Sequence, residues 1–92
     1  MMVEVVSFRT TKDFGKPGDV RIDRGSKWGN PFHIGKDGNR DQVCDKYQQY
    51  FEQSNLDIRE LIDAKRLFCW CAPLRCHGDY LKKRIEELKK HV

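Results

Sequence analysis

"RLFCWCAPLRCHGDY" (residues 66–80) contains the clearest signals for the fold of this chain. Its first part, RLFCWC (66–71), has apolar side chains on both alternating faces, which is typical of a strand that is buried on two sides. A turn that contains Pro73 follows, and a helix begins around Gly78 or Asp79. The buried stripe of that helix is formed at helical spacing by Leu81, Ile85 and Leu88. A buried strand that leads into a helix is typical of a parallel sheet with crossover connections, so the stretch predicts an α/β fold.

Two further strands and a well-marked helix are predicted before this stretch. The strands cover VEVVSFR (3–9) and VRID (20–23), which are short and rich in β-branched residues. Asn39 caps the helix and forms a capping box with Gln42. The apolar face of this helix consists of Val43, Tyr47, Tyr50 and Phe51.

A shorter second helix is expected to follow, with Ser54 or Asn55 as its cap. Its buried stripe would be formed by Ile58, Leu61 and Ile62. The resulting order is strand, strand, long loop, helix, helix, strand, helix. We therefore expect a small single α/β domain over residues 1–92, with a short, mostly parallel sheet flanked by about three helices.

Composition and charge narrow the class of protein. Hydrophobic residues make up 38% and charged residues 35% of the 92 residues, which is the balance of a small globular domain. No apolar run reaches the ~20 residues of a spanning helix, and no signal peptide is evident, so we expect a cytoplasmic protein with no membrane partner. There the four cysteines stay reduced. The net charge of +4 favours an anionic partner, either a nucleotide-like small molecule or nucleic acid.

The long, glycine-rich loop between the second strand and the first helix has the residue types of a nucleotide site. Arg24 and Lys27 can neutralise phosphate. Trp28 offers a face for stacking a base, and Asn30 can pair with a base edge or a ribose hydroxyl. Gly29 permits close approach of the backbone to a ligand. A core position for Trp28 is the alternative.

Cys69, Cys71, Cys76 and His77 are candidate metal ligands. Their number suits a structural zinc site, but such sites usually hold their ligands in two separated knuckles. Side chains that are two residues apart on a strand lie ~7 Å from each other, which is farther apart than two ligands of the same metal ion usually are. The spacing also departs from the Cys-x-x-Cys of a redox pair. Zinc and redox chemistry therefore stay as alternatives beside simple burial of the thiols.

The same stretch lies where open α/β sheets bind ligands, beyond the carboxyl ends of the strands. The helix start adds N–H groups and partial positive charge that attract phosphate. Cys76, His77 and Asp79 are placed there, so they are candidates for ligand contact. In an enzyme they would be the candidate nucleophile and general acid or base. Asp79 has a second interpretation as a helix cap.

Three blocks of the sequence resemble a known family. SKWGNPF (26–32), GKDGNRDQV (35–43) and CWCAPLRCHGDYL (69–81) are similar to the signature of domain of unknown function 4326, whose members are common in phages and microbes. The resemblance implies a compact α/β domain and no particular activity. The signature residues that this chain carries are Ser26, Lys27, Trp28, Gly29, Asn30, Pro31, Phe32, Cys69, Cys71, Pro73, Cys76, His77, Gly78 and Asp79.

The leading prediction is a domain that binds a nucleotide or a nucleotide-derived anion, which in a phage would suit sequestration of a signalling nucleotide. The expected ligand contacts are Arg24, Ser26, Lys27, Trp28, Gly29, Asn30, Cys71, His77 and Asp79. One alternative is a small hydrolase or transferase that acts on a nucleotide or glycosidic bond. Another is a zinc-containing module that binds nucleic acid. A core this small also leaves a homodimer open.

Overall fold

The computed structural model describes residues 3–71 and 74–90. Its elements in chain order are β1 (Glu4–Ser7), β2 (Asp19–Arg21), α1 (Arg40–Gln53), a 3-10 helix (Ile58–Leu61), β3 (Arg66–Cys69) and α2 (His77–Lys90). The predicted α/β class is confirmed.

The three strands form one parallel sheet, in agreement with the predicted mostly parallel sheet, and their order is β1-β3-β2. β3 is the central strand, and its Leu67 and Phe68 are fully buried, in agreement with its apolar residues on both faces. Val5 and Val20 flank Leu67 in register on the two edge strands. Because parallel strands end at the same edge of a sheet, the residues that follow β2 and β3 lie near each other.

α1 begins with the capping box that the sequence predicts. The Asn39 side chain accepts a hydrogen bond from the Gln42 backbone N–H at 2.9 Å, and the Gln42 side chain accepts from the Asn39 backbone N–H at 2.8 Å. The predicted apolar face is buried at Val43, Tyr47 and Phe51. This box determines where the first turn of α1 lies relative to the preceding loop.

The prediction of a second α-helix is wrong. Ser54 ends α1, because its backbone N–H donates to a carbonyl of the last turn. Asp57 is the cap of the next element and accepts from the Arg59 backbone N–H. That element is a single 3-10 helix, which buries Leu61. In the part of the chain that the structure describes, the sheet is therefore flanked by two α-helices instead of three.

The strands are also shorter than predicted. β2 pairs with β3 through three residues, and β1 pairs with it through four. β3 can continue only as far as its neighbours extend, so it ends at Cys69 instead of residue 71. α2 begins at His77, one residue before the predicted start.

The helices and the sheet share one core. It includes Ile22, Tyr47, Leu67, Leu81 and Ile85. Phe68 contacts a separate aromatic group, with its ring centroid 5.0 Å from that of Phe8 and 4.9 Å from that of Phe14. None of the helices in the described residues is both long and apolar enough to cross a membrane.

Candidate functional site

One cavity of about 330 Å³ lies beyond the carboxyl ends of β2 and β3. Its walls come from the loop after β2, the first turns of α1, the end of β3 and the start of α2. Arg40 and His77, the first residues of the two α-helices, both line it. The structure thus brings together the two segments that the sequence analysis singled out. The N-termini of two helices, which carry partial positive charge, therefore lie at the same cavity.

Three arginines line the cavity, and they differ in their partners. Arg75 is neutralised by Asp41 and Asp45, at 3.0 and 2.8 Å. Arg24 donates to two carbonyls of its own loop, and Arg40 donates to the Arg75 carbonyl. Within residues 3–71 and 74–90, neither Arg24 nor Arg40 has a carboxylate partner. The cavity therefore holds two cations that are free to pair with an anionic ligand.

Trp70 supplies an aromatic wall of the cavity. The residue is 53% exposed, and its indole N–H donates to the Asp23 carboxylate at 3.1 Å. Its ring also contacts that of Phe8, with 5.1 Å between centroids. A ring that is held at its edge and still half-exposed is suited to stacking with a flat ligand.

Trp28, the tryptophan that the sequence analysis expected to stack on a ligand, lies in the core instead. It is 5% exposed and does not line the cavity. Its ring stacks with that of Phe51, at 6.3 Å between centroids. Its carbonyl accepts a hydrogen bond from the Tyr47 hydroxyl at 2.7 Å, and the Tyr47 ring contacts His77. Trp28 therefore contributes to the stability of the fold around the cavity, because a ring of this size buries a large apolar area.

Three more of the expected ligand contacts shape the loop without lining the cavity. The Ser26 hydroxyl donates to the carbonyl three residues earlier at 2.8 Å. The Lys27 ammonium pairs with Glu60 at 2.5 Å. Gly29 lies so close to the neighbouring backbone that an added Cβ would be 2.6 Å from the Arg24 Cα. A side chain at position 29 would therefore displace the loop that carries Arg24.

Asn30 lines the cavity, as expected, but both ends of its amide have partners in the protein. Its Nδ2 donates to the Val43 carbonyl at 3.1 Å, and its Oδ1 accepts from the Phe32 backbone N–H at 2.9 Å. These bonds attach the loop to α1. Asn30 thus positions the cavity wall.

His77 presents a buried and neutral imidazole to the cavity. Its Nε2–H donates to the carbonyl of Ile22, which leaves Nδ1 as an acceptor. Its ring centroid lies 4.9 Å from that of Tyr47. Burial lowers the pKa of His77 from its ordinary value, because the charged form would lose its hydration. At neutral pH the group is a hydrogen-bond acceptor and not a cation.

All four cysteines of the chain line the same cavity, and none is in a disulfide. The Sγ atoms of Cys69 and Cys76 are 3.5 Å apart. This contact, together with burial, raises the pKa of Cys76, and burial raises the pKa of Cys44. A thiol that stays protonated is a weak nucleophile. Cys71, one of the expected ligand contacts, is the most accessible of the four.

Asp79 lies outside the cavity, at an exposed position on the first turn of α2. Its Oδ2 accepts from the Cys76 backbone N–H at 3.3 Å, so from inside the first turn it satisfies the N–H of the residue before α2 and is not the N-cap residue itself. The candidate catalytic residues Cys76, His77 and Asp79 thus do not converge on one point. Cys76 is a protonated thiol, His77 is a neutral ring bound to a carbonyl, and Asp79 is an exposed carboxylate on the first turn of α2.

The candidate zinc ligands do not assemble either. Over residues 3–71 and 74–90, no three His, Cys, Asp or Glu side chains are grouped so that they could hold a metal ion. His77, one of the proposed ligands, already uses Nε2 in its bond to Ile22. Pro73, a residue of the family signature, lies outside the described residues.

Sequence reasoning missed Asp23, Trp70 and Arg40 as cavity residues. Asp23 and Trp70 follow the carboxyl ends of β2 and β3, and Arg40 opens α1. The rule that ligands bind beyond the carboxyl ends of parallel strands indicates Asp23 and Trp70. The affinity of helix N-termini for anions indicates Arg40.

The chain is similar to a family and to proteins of two viruses. A family model described as a domain of unknown function (DUF4326) matches residues 6–87. An uncharacterised protein of Acanthamoeba polyphaga mimivirus is 37% identical over 76 residues, which cover 72% of this chain and 58% of that protein. An uncharacterised 12.4 kDa protein in the nrdA-td intergenic region of Enterobacteria phage T4 is 34% identical over 80 residues, which cover 78% of this chain and 71% of that protein. No solved structure matches significantly.

Proposed function

Because this chain belongs to the domain of unknown function 4326 family, whose description assigns no activity, we propose a function from the cavity: the protein binds a nucleotide or a nucleotide-derived anion. The observation that carries the proposal is the pair Arg24 and Arg40, two cavity arginines with no carboxylate partner among the described residues. A ligand that supplies the missing negative charge completes the site.

The phosphate of the ligand is held where the cations and the helix starts meet. Arg40 is the first residue of α1, so its guanidinium accompanies the partial positive charge of that helix end. His77 brings the start of α2 to the same cavity. Helix N-termini bind phosphate through their unpaired N–H groups, and arginine adds paired donors in a fixed geometry.

The nucleoside part of the ligand stacks on Trp70. The half-exposed indole takes the role that the sequence suggested for Trp28, and base stacking on an aromatic ring tolerates any base. A volume of about 330 Å³ is at the lower end of the ~300–1,000 Å³ of small-molecule sites. A single nucleotide suits such a space better than a long polymer.

We propose binding without turnover. Cys76 is protonated, His77 is bound to a carbonyl, and Asp79 lies outside the cavity, so the described residues offer no activated nucleophile for the hydrolase alternative. Sequestration of a signalling nucleotide needs no chemistry, and it suits a chain whose relatives include viral proteins. The proposal places the protein in the cytoplasm, where the four cavity thiols stay reduced.

Calorimetric titration against nucleoside mono-, di- and cyclic phosphates and ADP-ribose tests this function. We expect heat with at least one of them and a Kd on the order of micromolar. Chromatography of the recovered ligand should return it intact. Circular dichroism of the same sample shows whether the protein is folded.

Each other outcome has a distinct meaning. Folded protein that binds none of these ligands contradicts the proposal. Cleavage of the ligand replaces it with the hydrolase alternative. One zinc per chain, with unfolding on chelation, replaces it with the metal-containing module.

A further inference from the structure

Asp23 is the one acidic side chain among the described residues that line the cavity. It lies two residues beyond the end of β2 and is 8% exposed. Its Oδ2 accepts from the Arg21 guanidinium at 2.8 Å and from the Trp70 indole N–H at 3.1 Å. Its Oδ1 is buried and has no hydrogen-bond partner in the part of the chain that the structure describes.

The Asp23 carboxylate is ionised. Arg21 lowers its pKa by more than burial raises it, and Trp70 adds to the lowering. The backbone N–H of Gly25 also lowers the pKa of Asp23, but it makes no hydrogen bond to Oδ1. An ionised carboxylate only accepts hydrogen bonds, and buried acceptors in native proteins nearly always have a donor. The bound ligand is therefore the natural source of the missing donor.

Charge determines which part of a ligand lies against Asp23. The carboxylate repels phosphate, whereas Arg24 and Arg40 attract it. The group that meets Asp23 must therefore be uncharged and must carry an O–H or N–H donor. A single available oxygen suits a ligand group with a single O–H donor, such as a sugar hydroxyl. The guanine edge presents two adjacent donors and would need both oxygens, of which Oδ2 is already used.

We propose that Asp23 makes the cavity selective for ribonucleotides by accepting a hydrogen bond from a ribose hydroxyl. This inference rests on the proposed function and names the residue that recognises the sugar. A carboxylate beyond the end of a parallel strand has the same partner in dinucleotide-binding folds. Because Oδ1 is closed off from the cavity, binding requires a small shift of the Gly25 backbone or of Trp70.

Titration with AMP and GMP and with their 2′-deoxy and 3′-deoxy analogues tests this selectivity. We expect loss of the hydroxyl that Asp23 contacts to weaken binding at least ~tenfold, because a polar site rejects an analogue that leaves it unpaired. In Asp23→Asn the difference should fall to about threefold or less, since the neutral amide is a weaker acceptor.

Asp63→Asn is the matched control. Asp63 is exposed and does not line the cavity, so the same change of a carboxylate to an amide at this position should keep the selectivity of the wild type. The thermal midpoints of both variants report any effect on folding. The wild-type titration alone decides the ligand class, whether or not Asp23→Asn folds.

The unfavourable outcomes separate the two proposals. Wild-type protein that binds a ribonucleotide and both deoxy analogues within about twofold overturns the role of the ribose and leaves nucleotide binding intact. Selectivity that persists in Asp23→Asn overturns the role of Asp23. Failure of every nucleotide to bind overturns both proposals.

Discussion

His77 Nε2 lies 2.5 Å from the carbonyl oxygen of Ile22, so the first residue of α2 is tied to the residue that follows β2. The two residues are 55 positions apart in the chain, and both are buried. Their bond joins two walls of the cavity. Because a carbonyl can only accept, the ring keeps its proton on Nε2, and burial leaves Nδ1 unprotonated.

Acidification should destabilise the fold through His77. Its pKa in the folded protein lies below the ordinary 6.5, so below that pH the unfolded chain binds a proton that the folded chain does not. The contribution of His77 to the free energy of unfolding is therefore fully present above the ordinary pKa. It is lost as the pH falls below that value, by at most ~1.4 kcal/mol per pH unit. Urea unfolding between about pH 7.5 and about pH 5 measures this slope.

His77→Gln keeps a donor for the Ile22 carbonyl but cannot titrate, so its stability should be nearly constant over the same range. His33 is exposed, and His33→Gln should keep the wild-type slope. The carboxylates do not obscure the effect, because Asp19, for example, has its pKa lowered to about 2 by Arg66 and loses its contribution only in stronger acid. A slope in His77→Gln equal to that of the wild type would contradict this prediction.

Arg40→Gln should weaken binding of phosphate-bearing ligands about tenfold, because it removes a cavity cation with no carboxylate partner. Stability should change little, since the side chain donates to a single carbonyl. Arg59→Gln is the control, because Arg59 lies on the 3-10 helix and does not line the cavity. Its side chain is 78% exposed and pairs with Asp57, the cap of that helix. Calorimetry of both variants, with a nucleoside that lacks phosphate as a second ligand, measures the effect. An equal loss for the nucleoside would show that Arg40 does not contact phosphate.

Much of the fold follows from local signals in the sequence. The Asn39–Gln42 capping box and the two-faced apolar pattern of β3 each involve residues that are close in the chain, so both were predicted correctly. The second helix was not. Ser54 has the chemistry of an N-cap, yet it ends α1, and the choice between these roles depends on how the preceding turn packs.

The site was harder to predict than the fold. Contacts with residues that are distant in the chain decide which of its side chains face the cavity. Lys27 and Arg24 are both cationic, but Glu60, 33 residues further on, neutralises Lys27. Trp28 and Trp70 carry the same ring, but Trp28 is buried in the core, where it stacks with Phe51. Sequence patterns identified the two segments that form the cavity. They could not identify which side chains of each segment face it.

Thiol labelling should distinguish Cys71 from the other cysteines. Cys71 is half-buried, whereas the other three are buried, so native protein should show one fast-reacting thiol towards a soluble disulfide reagent. Cys71→Ser should remove the fast phase, and Cys44→Ser should keep it. A nucleotide that occupies the cavity should slow the reaction, because Cys71 lines it. Rapid labelling of Cys44 or Cys76 in the folded protein would contradict the burial of those thiols.

Tryptophan fluorescence should report ligand binding through Trp70. The chain has two tryptophans, and only Trp70 is both exposed and part of the cavity wall. Stacking of a base on the indole should quench its emission, so Trp70→Phe should lose most of the fluorescence response to ligand. The variant should also bind the ligand more weakly, with a loss of binding free energy of at most ~3 kcal/mol.

Trp28→Phe gives the complementary result. It should keep the fluorescence response, but it should lower the free energy of unfolding by ~1–3 kcal/mol, because a smaller ring leaves space beside Phe51. Iodide should quench the emission of Trp28→Phe, in which only Trp70 emits, more strongly than that of Trp70→Phe, since an ionic quencher reaches only an exposed ring. If the ligand response is instead lost in Trp28→Phe and kept in Trp70→Phe, the aromatic wall of the binding site has been assigned to the wrong tryptophan.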